Sequence, residues 1–163
     1  MVNLNDKQVM DATVAGISTL LALIVFSYAA KGYKHVDGSC SSNIIRRSLT
    51  TVVALSAGIV TAGLCYFACM KNSNNCYKGV SQATNTATVY FSIIALISMI
   101  MIIALSMIMI EVNKNPDDCG GSALKKDAVI LLVLSILVFI GSVGVIVVAS
   151  TVIFGKSASA SSE

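Results

Sequence analysis

Four long stretches without a charged residue constrain this chain more than any other feature. They cover residues 12–30, 48–70, 79–110 and 128–155. An α-helix rises about 1.5 Å per residue, so about 20 residues cross a hydrocarbon core of about 30 Å. Each stretch can therefore span a bilayer as a helix. The sequence predicts an all-α integral membrane protein that folds as a four-helix transmembrane bundle.

Composition excludes the main alternatives to this fold. The chain is 56% hydrophobic and 12% charged, with a mean hydropathy of +0.84, unlike a soluble domain. Uncharged stretches this long also differ from the short alternating strands of a membrane β-barrel. The predicted bundle covers residues 1–155 and is followed by a flexible polar tail at 156–163. Its helices are predicted at about residues 12–30, 48–70, 87–110 and 128–154.

Charge placement predicts an orientation in the membrane. Loops one and three hold seven basic residues, which are Lys31, Lys34, Arg46, Arg47, Lys114, Lys125 and Lys126; the rest of the chain holds four, Lys7, Lys71, Lys78 and Lys156. The positive-inside rule then places loops one and three on the cytoplasmic side. The first eleven residues carry one lysine against two aspartates, so we expect the first helix to be retained rather than cleaved as a signal peptide. The sequence contains no basic block of the kind that binds nucleic acid, so we predict no nucleic-acid partner.

Small residues predict where the helices pack, because helix association in lipid depends on close fit. On the second helix such residues recur at a helical spacing that places them on one face: Ala54, Gly58, Ala62, Cys65 and Cys69. The fourth helix carries Gly141 and Gly144. We therefore predict that these residues mediate packing within a tight bundle.

The third helix contains a Met-Ile-Met repeat that could suggest a Cu(I) site. Met99 and Met101 are two residues apart, however, and point to opposite faces of a helix. A heptad interpretation instead predicts one packing seam, formed by Ser92, Met99 and Ser106 with Ala95, Ile102 and Met109. Met101 and Met107 are expected to face lipid or other helices, and no metal site is predicted.

The five cysteines leave two interpretations open. Cys40 and Cys119 lie on one side of the membrane, and Cys69 and Cys76 lie on the other, so each pair either forms a disulfide or stays reduced; Cys65 is left free. A zinc site is not predicted, since the only histidine, His35, lies on the opposite side from the cysteine-rich segment. Four-helix thiol oxidoreductases of the DsbB and vitamin K epoxide reductase families are similar in helix count, but their Cys-x-x-Cys motif is missing here.

The predicted spans contain no ionisable residue in their interiors, whereas such residues mark proton and ion paths. Hydroxyl residues such as Ser18, Ser98 and Ser135 could line an oligomeric pore, but we expect them to bond to backbone or to pack. Aromatic residues near the span ends, including Tyr66, Tyr90 and Phe91, are expected to be interfacial anchors. No catalytic set is present, so we expect neither an enzyme nor a cofactor.

In length, number of spans, short loops and a bias toward Ile, Asn, Lys and Met, the chain resembles the small multispan proteins in the internal membranes of large icosahedral DNA viruses. The resemblance covers general organisation and no specific motif. It implies a structural role that links a virion membrane to an overlying protein shell. Vesicle-shaping tetraspan proteins of the MARVEL type are also similar in outline, but the charge count opposes their orientation.

The functional prediction is thus a membrane anchor whose loops and helix faces bind protein partners or further copies of itself. A small oligomeric channel or a transport-accessory protein is the alternative, and a thiol oxidoreductase is a further one.

Overall fold

A computed structural model describes residues 4–36, 42–71, 80–115 and 121–160. This part of the chain forms four helices: α1 (Leu4–Val36), α2 (Asn43–Lys71), α3 (Val80–Lys114) and α4 (Gly121–Ala160). No strand occurs among the described residues. The predicted all-α four-helix fold is confirmed.

All four helices are long and apolar enough to cross a membrane. The candidate spans are Val9–Lys34, Asn43–Cys69, Thr86–Lys114 and Ser122–Thr151. The helices themselves extend beyond the predicted segments at both ends. An absence of charge marks the part of a helix that lies in hydrocarbon, whereas the backbone hydrogen-bond ladder continues into polar flanks. At the C-terminal end, α4 continues through Ala160, so residues 156–160 of the predicted flexible tail are helical.

The helices form a ring in which each packs against its neighbours in sequence, and α4 returns to pack against α1. Across the diagonals, α1 and α3 barely touch, and α2 and α4 make no contact in the described part of the chain. Neighbours run antiparallel: the end of α1 meets the start of α2, where Gly32 lies against Leu49, and the start of α1 meets the end of α2, where Gly16 lies against Phe67. Short connections favour this up-and-down arrangement.

The core is a seam of buried residues that recur at alternating steps of four and three along every helix. In α4 the seam consists of Leu124, Ala128, Leu131, Ser135, Val138, Ser142, Val145 and Ala149. In α3 it consists of Ala87, Phe91, Ile94, Ser98, Met101, Leu105, Ile108 and Val112. The same steps run through α1 from residue 11 to residue 36 and through α2 from residue 45 to residue 66. A repeat of about 3.5 residues is the pattern of left-handed, coiled-coil-like packing.

The structure corrects the predicted seam of α3 by one residue. Ser92, Met99 and Ser106 each follow a true seam position by one residue. So do Ala95, Ile102 and Met109, although Ala95 is buried beside the seam and Met109 packs against the core. Met101, expected to face lipid, is only 2% exposed, whereas Met99 is 52% exposed. Hydrophobicity could not fix this register, because lipid-facing side chains are as apolar as core ones.

A buried aromatic cluster also differs from expectation. The rings of Tyr66 on α2 and Tyr90 on α3 stack with centroids 4.3 Å apart, and Phe91 packs edge-on against Tyr90 at 4.9 Å. All three residues are buried between the helices, so the prediction that they are interfacial anchors is wrong. Aromatic pairs of this kind contribute about 0.5–1.5 kcal/mol beyond the area they bury. The cluster joins α2 to α3 at one end of the bundle.

Candidate functional site

The small residues of α2 lie on the outside of the bundle. We call Ala54, Gly58, Thr61, Ala62 and Cys65 the small-residue face. Each of Ala54, Gly58, Thr61 and Cys65 follows a seam position by two residues, a rotation of about 200° that turns it away from the other helices. A Cβ atom built on Gly58 would meet nothing within 4 Å. The prediction that this face packs within the bundle is therefore wrong for its exposed members, and only Ala62 is partly buried against the core.

The remaining predicted packing residues are also not on the seam. Gly141 and Gly144 of α4 each precede a seam position by one residue, and a Cβ atom on either would meet nothing within 4 Å. Cys69, at the end of α2, is half-buried. In lipid a small residue can face a partner helix or bare hydrocarbon, and spacing within one helix does not distinguish the two.

Close backbone approach does occur in the bundle, at a glycine that the small-residue pattern did not single out. A Cβ atom on Gly63 would overlap the Thr19 hydroxyl oxygen and would lie 3.1 Å from Thr19 Cγ2. The Thr19 hydroxyl donates a hydrogen bond to the Ala15 carbonyl oxygen at 2.7 Å, which fixes the side chain against α2. Gly63 lies seven residues after the buried Ser56, and this heptad spacing was the available signal.

An apolar depression of about 180 Å³ lies beside the small-residue face. Its walls come from α1 and α2 and are formed by Leu23, Phe26, Ala57, Val60 and Thr61. The Thr61 hydroxyl donates to the Ala57 carbonyl oxygen at 2.9 Å, so it presents little free polarity to the surface. A flat face of small side chains next to a shallow apolar depression allows the close approach of another helix.

Serine hydroxyls in the core satisfy their hydrogen bonds within their own helices. Ser98 donates to the Ile94 carbonyl oxygen, Ser135 to that of Leu131 and Ser142 to that of Val138, each at 2.8 Å. Ser56 donates to Val53 in the same way at 3.0 Å. These hydroxyls fill space in the seam without forming an interhelical network among themselves, as expected for packing residues.

Among the described residues of the candidate spans, Asp11 is the only buried Asp, Glu, Lys or Arg side chain. It occupies a seam position of α1 and is 0% exposed. The predicted span began at residue 12, whereas the candidate span begins at Val9 and so includes this carboxyl group. Ionisable side chains buried inside membrane bundles are candidates for a functional role, because burying them is costly.

The cysteines are only partly described. Cys65 is free and exposed on the small-residue face, and Cys69 is disulfide-bonded. Cys40, Cys76 and Cys119 lie outside the described residues, so the pairings of Cys40 with Cys119 and of Cys69 with Cys76 stay predictions. Among the residues that the structure does describe, no three His, Cys, Asp or Glu side chains come together.

One end of the bundle collects basic side chains, and we call it the basic end. It is formed by the last turns of α1 and α3 and the first turns of α2 and α4. Its seven cationic residues are Lys31, Lys34, Arg46, Arg47, Lys114, Lys125 and Lys126. Glu111 and Asp127 are the acidic residues described at this end. Such a concentration of cations suits contact with lipid phosphates.

The bundle thus offers three features for function: the small-residue face, the buried Asp11 and the basic end. No protein-family model, curated protein or solved structure matches this chain.

Proposed function

We propose that this protein is a structural membrane protein whose bundle serves as an anchor and whose exposed surfaces assemble with other proteins. The observation that carries the proposal is the outward position of the small-residue face. Gly58 makes no close contact with the other helices, and Ala54, Thr61 and Cys65 of the same face are exposed. A face of this kind lets a second helix approach closely and gain van der Waals contact that lipid chains do not provide.

The partner we favour in the membrane is a second copy of the chain, with the loops left to bind a protein layer above the membrane. We propose that this layer is a capsid shell and the membrane an internal virion membrane, which the organisational resemblance to multispan virion proteins supports. A disulfide at Cys69 supports an oxidising environment at that end of the bundle, in agreement with cytoplasmic loops one and three.

A pair of glycine substitutions tests the association. Gly58→Leu should weaken self-association in vesicles, measured by energy transfer between labelled copies, because the new side chain separates the two small-residue faces. Gly144→Leu is the matched control, since its Cβ atom also meets nothing within 4 Å and it lies on a different helix. Equal association of wild type and Gly58→Leu would contradict this interface.

Copurification tests the proposed contact between the loops and a protein shell. We expect a larger coat or shell protein to copurify with this chain at fixed stoichiometry and to crosslink to its loops. Purification with lipid alone from the native source would contradict a docking role.

A channel or transport-accessory protein is the second candidate, and the buried Asp11 favours it. If it is correct, purified protein in liposomes should pass protons or cations, and Asp11→Asn should abolish that flux. Flux equal to that of empty vesicles would remove this candidate and leave the assembly proposal standing.

A further inference from the structure

A cleft at the basic end separates the last turns of α1 from the first turns of α4. Its volume is about 430 Å³, within the range of about 300–1,000 Å³ typical of small-molecule sites. Lys31 and Lys34 line it from α1, and Asp127 lines it from α4. Val36 and Leu124 also line it and are themselves buried, so they form an apolar floor.

The cleft lies at the depth of lipid headgroups. The span of α1 ends at Lys34 and the span of α4 begins at Ser122, so the walls of the cleft straddle the boundary between hydrocarbon and water. Basic pockets between transmembrane helices at this depth are suited to phospholipid headgroups. A ligand here has immediate access to the bilayer.

The charges of the cleft select among headgroups. Lys31 and Lys34 are exposed and can both reach a phosphate, while the half-buried Asp127 places a carboxylate on the opposite wall. Within the described part of the chain no ion pair joins Asp127 to either lysine, so all three groups can bind a ligand. A phosphate alone would leave Asp127 without a partner in the ligand, whereas a phosphate that carries a primary amine satisfies both walls.

The surface below the cleft suits an acyl chain. Tyr28 and Ile24 follow Lys31 toward the membrane interior at steps of three and four, so they lie on the same side of α1. Both are exposed, as is Ile130, which lies one turn below Asp127 on α4. A lipid held by its headgroup in the cleft can therefore lay its hydrocarbon along apolar side chains.

We propose that the cleft between α1 and α4 binds a phosphatidylethanolamine-type membrane phospholipid, with Lys31 and Lys34 on the phosphate and Asp127 on the amine. The proposal does not depend on the assembly role, because the cleft lies between α1 and α4, whereas the small-residue face lies on α2. A phospholipid bound in the cleft would contact both α1 and α4, the first and last helices of the ring.

The test is lipid retention by the full chain in native mass spectrometry from detergent, with phosphatidylethanolamine and phosphatidylglycerol of identical acyl chains. We expect wild type to retain phosphatidylethanolamine over phosphatidylglycerol. Two charge-assisted contacts are lost in Lys31→Gln/Lys34→Gln, which should reduce retention about tenfold or more. Lys31→Arg/Lys34→Arg, which keeps both cations, is the matched control and should stay within about twofold, less than 0.5 kcal/mol.

Asp127→Asn should keep phospholipid bound but lose the preference for the amine. Circular dichroism and thermal unfolding in detergent check that each variant is folded. Unchanged retention in Lys31→Gln/Lys34→Gln would overturn the site, and equal retention of the two lipids by wild type would overturn the amine contact. If soluble glycerophosphoethanolamine displaces the lipid at equal concentration, the site is for the free headgroup and the lipid assignment is wrong.

Discussion

The two faces of α2 look alike in sequence and differ completely in surroundings. Gly58 is on the outer face, where an added Cβ atom would meet nothing within 4 Å. Gly63, five residues later, is buried against Thr19, where an added Cβ atom would overlap a side chain that is hydrogen-bonded to its own helix. Both are glycines among apolar neighbours, and only the contact with α1 distinguishes them.

This contrast shows how small residues act in a membrane bundle. Without a hydrophobic driving force between helices, burial depends on shape. A glycine therefore contributes to packing stability where another helix approaches it, and contributes little where it faces lipid. The inner face of α2 is covered by other helices of the same chain. On its outer face Ala54, Gly58, Thr61 and Cys65 are exposed in the described chain, which is why we propose that this face mediates assembly.

The largest expected effect on stability is in α3, which shows the same contrast between an inner and an outer face. Met101 is buried there and Met99 faces outward. Met101→Ala should lower the free energy of unfolding by about 2–5 kcal/mol, because it leaves a cavity in the seam. Met99→Ala should change it by less than about 0.5 kcal/mol. Unfolding by SDS in mixed micelles measures both, and similar losses would mean that the α3 seam is wrongly placed.

A smaller effect is expected at the glycines of α2. Gly63→Ala should destabilise the protein by about 1–3 kcal/mol through overpacking against Thr19. Adding Thr19→Ala should restore much of that loss, since it removes Thr19 Oγ1 and Cγ2, the two atoms closest to the new methyl group. Gly58→Ala is the control and should be neutral or slightly stabilising in monomeric protein. A Gly63→Ala variant as stable as wild type would contradict the close approach of α1 and α2.

The smallest effect is expected for a seam hydroxyl. Ser135 donates to its own helix at 2.8 Å, as the exposed Ser27 does to Leu23 at 2.9 Å. Removing either hydroxyl by substitution with alanine should change stability by less than about 1 kcal/mol, because no second helix depends on the bond. A loss at Ser135 well above that at Ser27 in the same micelle assay would reveal an interhelical contact or a polar path.

The fold was predictable from the sequence, and much of its interior was not. Charge-free stretches identify helices that cross lipid, because charges are costly there regardless of neighbours. The side of each helix that turns inward depends on the other helices, so the α3 seam was displaced by one residue and the α2 face was assigned to the wrong side.

Asp11 and the cleft between α1 and α4 were not predicted, for different reasons. Asp11 stands one residue outside the charge-free stretch, and only the length of α1 brings it into the span. The cleft combines side chains from α1 and α4, which are distant in sequence and become neighbours when the ring closes. The residue pattern of a single helix therefore predicts neither feature.

The central claim is that the seam observed on each helix is the face turned away from lipid. The chain has no tryptophan, so single Trp substitutions on α3 report lipid contact without background. In vesicles of brominated lipid, we expect strong quenching of Trp at Ile93 and Leu96, which are exposed, and weak quenching at Phe91 and Ile94, which are fully buried. Circular dichroism must first show that each variant is folded. Quenching of Trp at Phe91 and Ile94 as strong as at Leu96 would contradict the bundle described here.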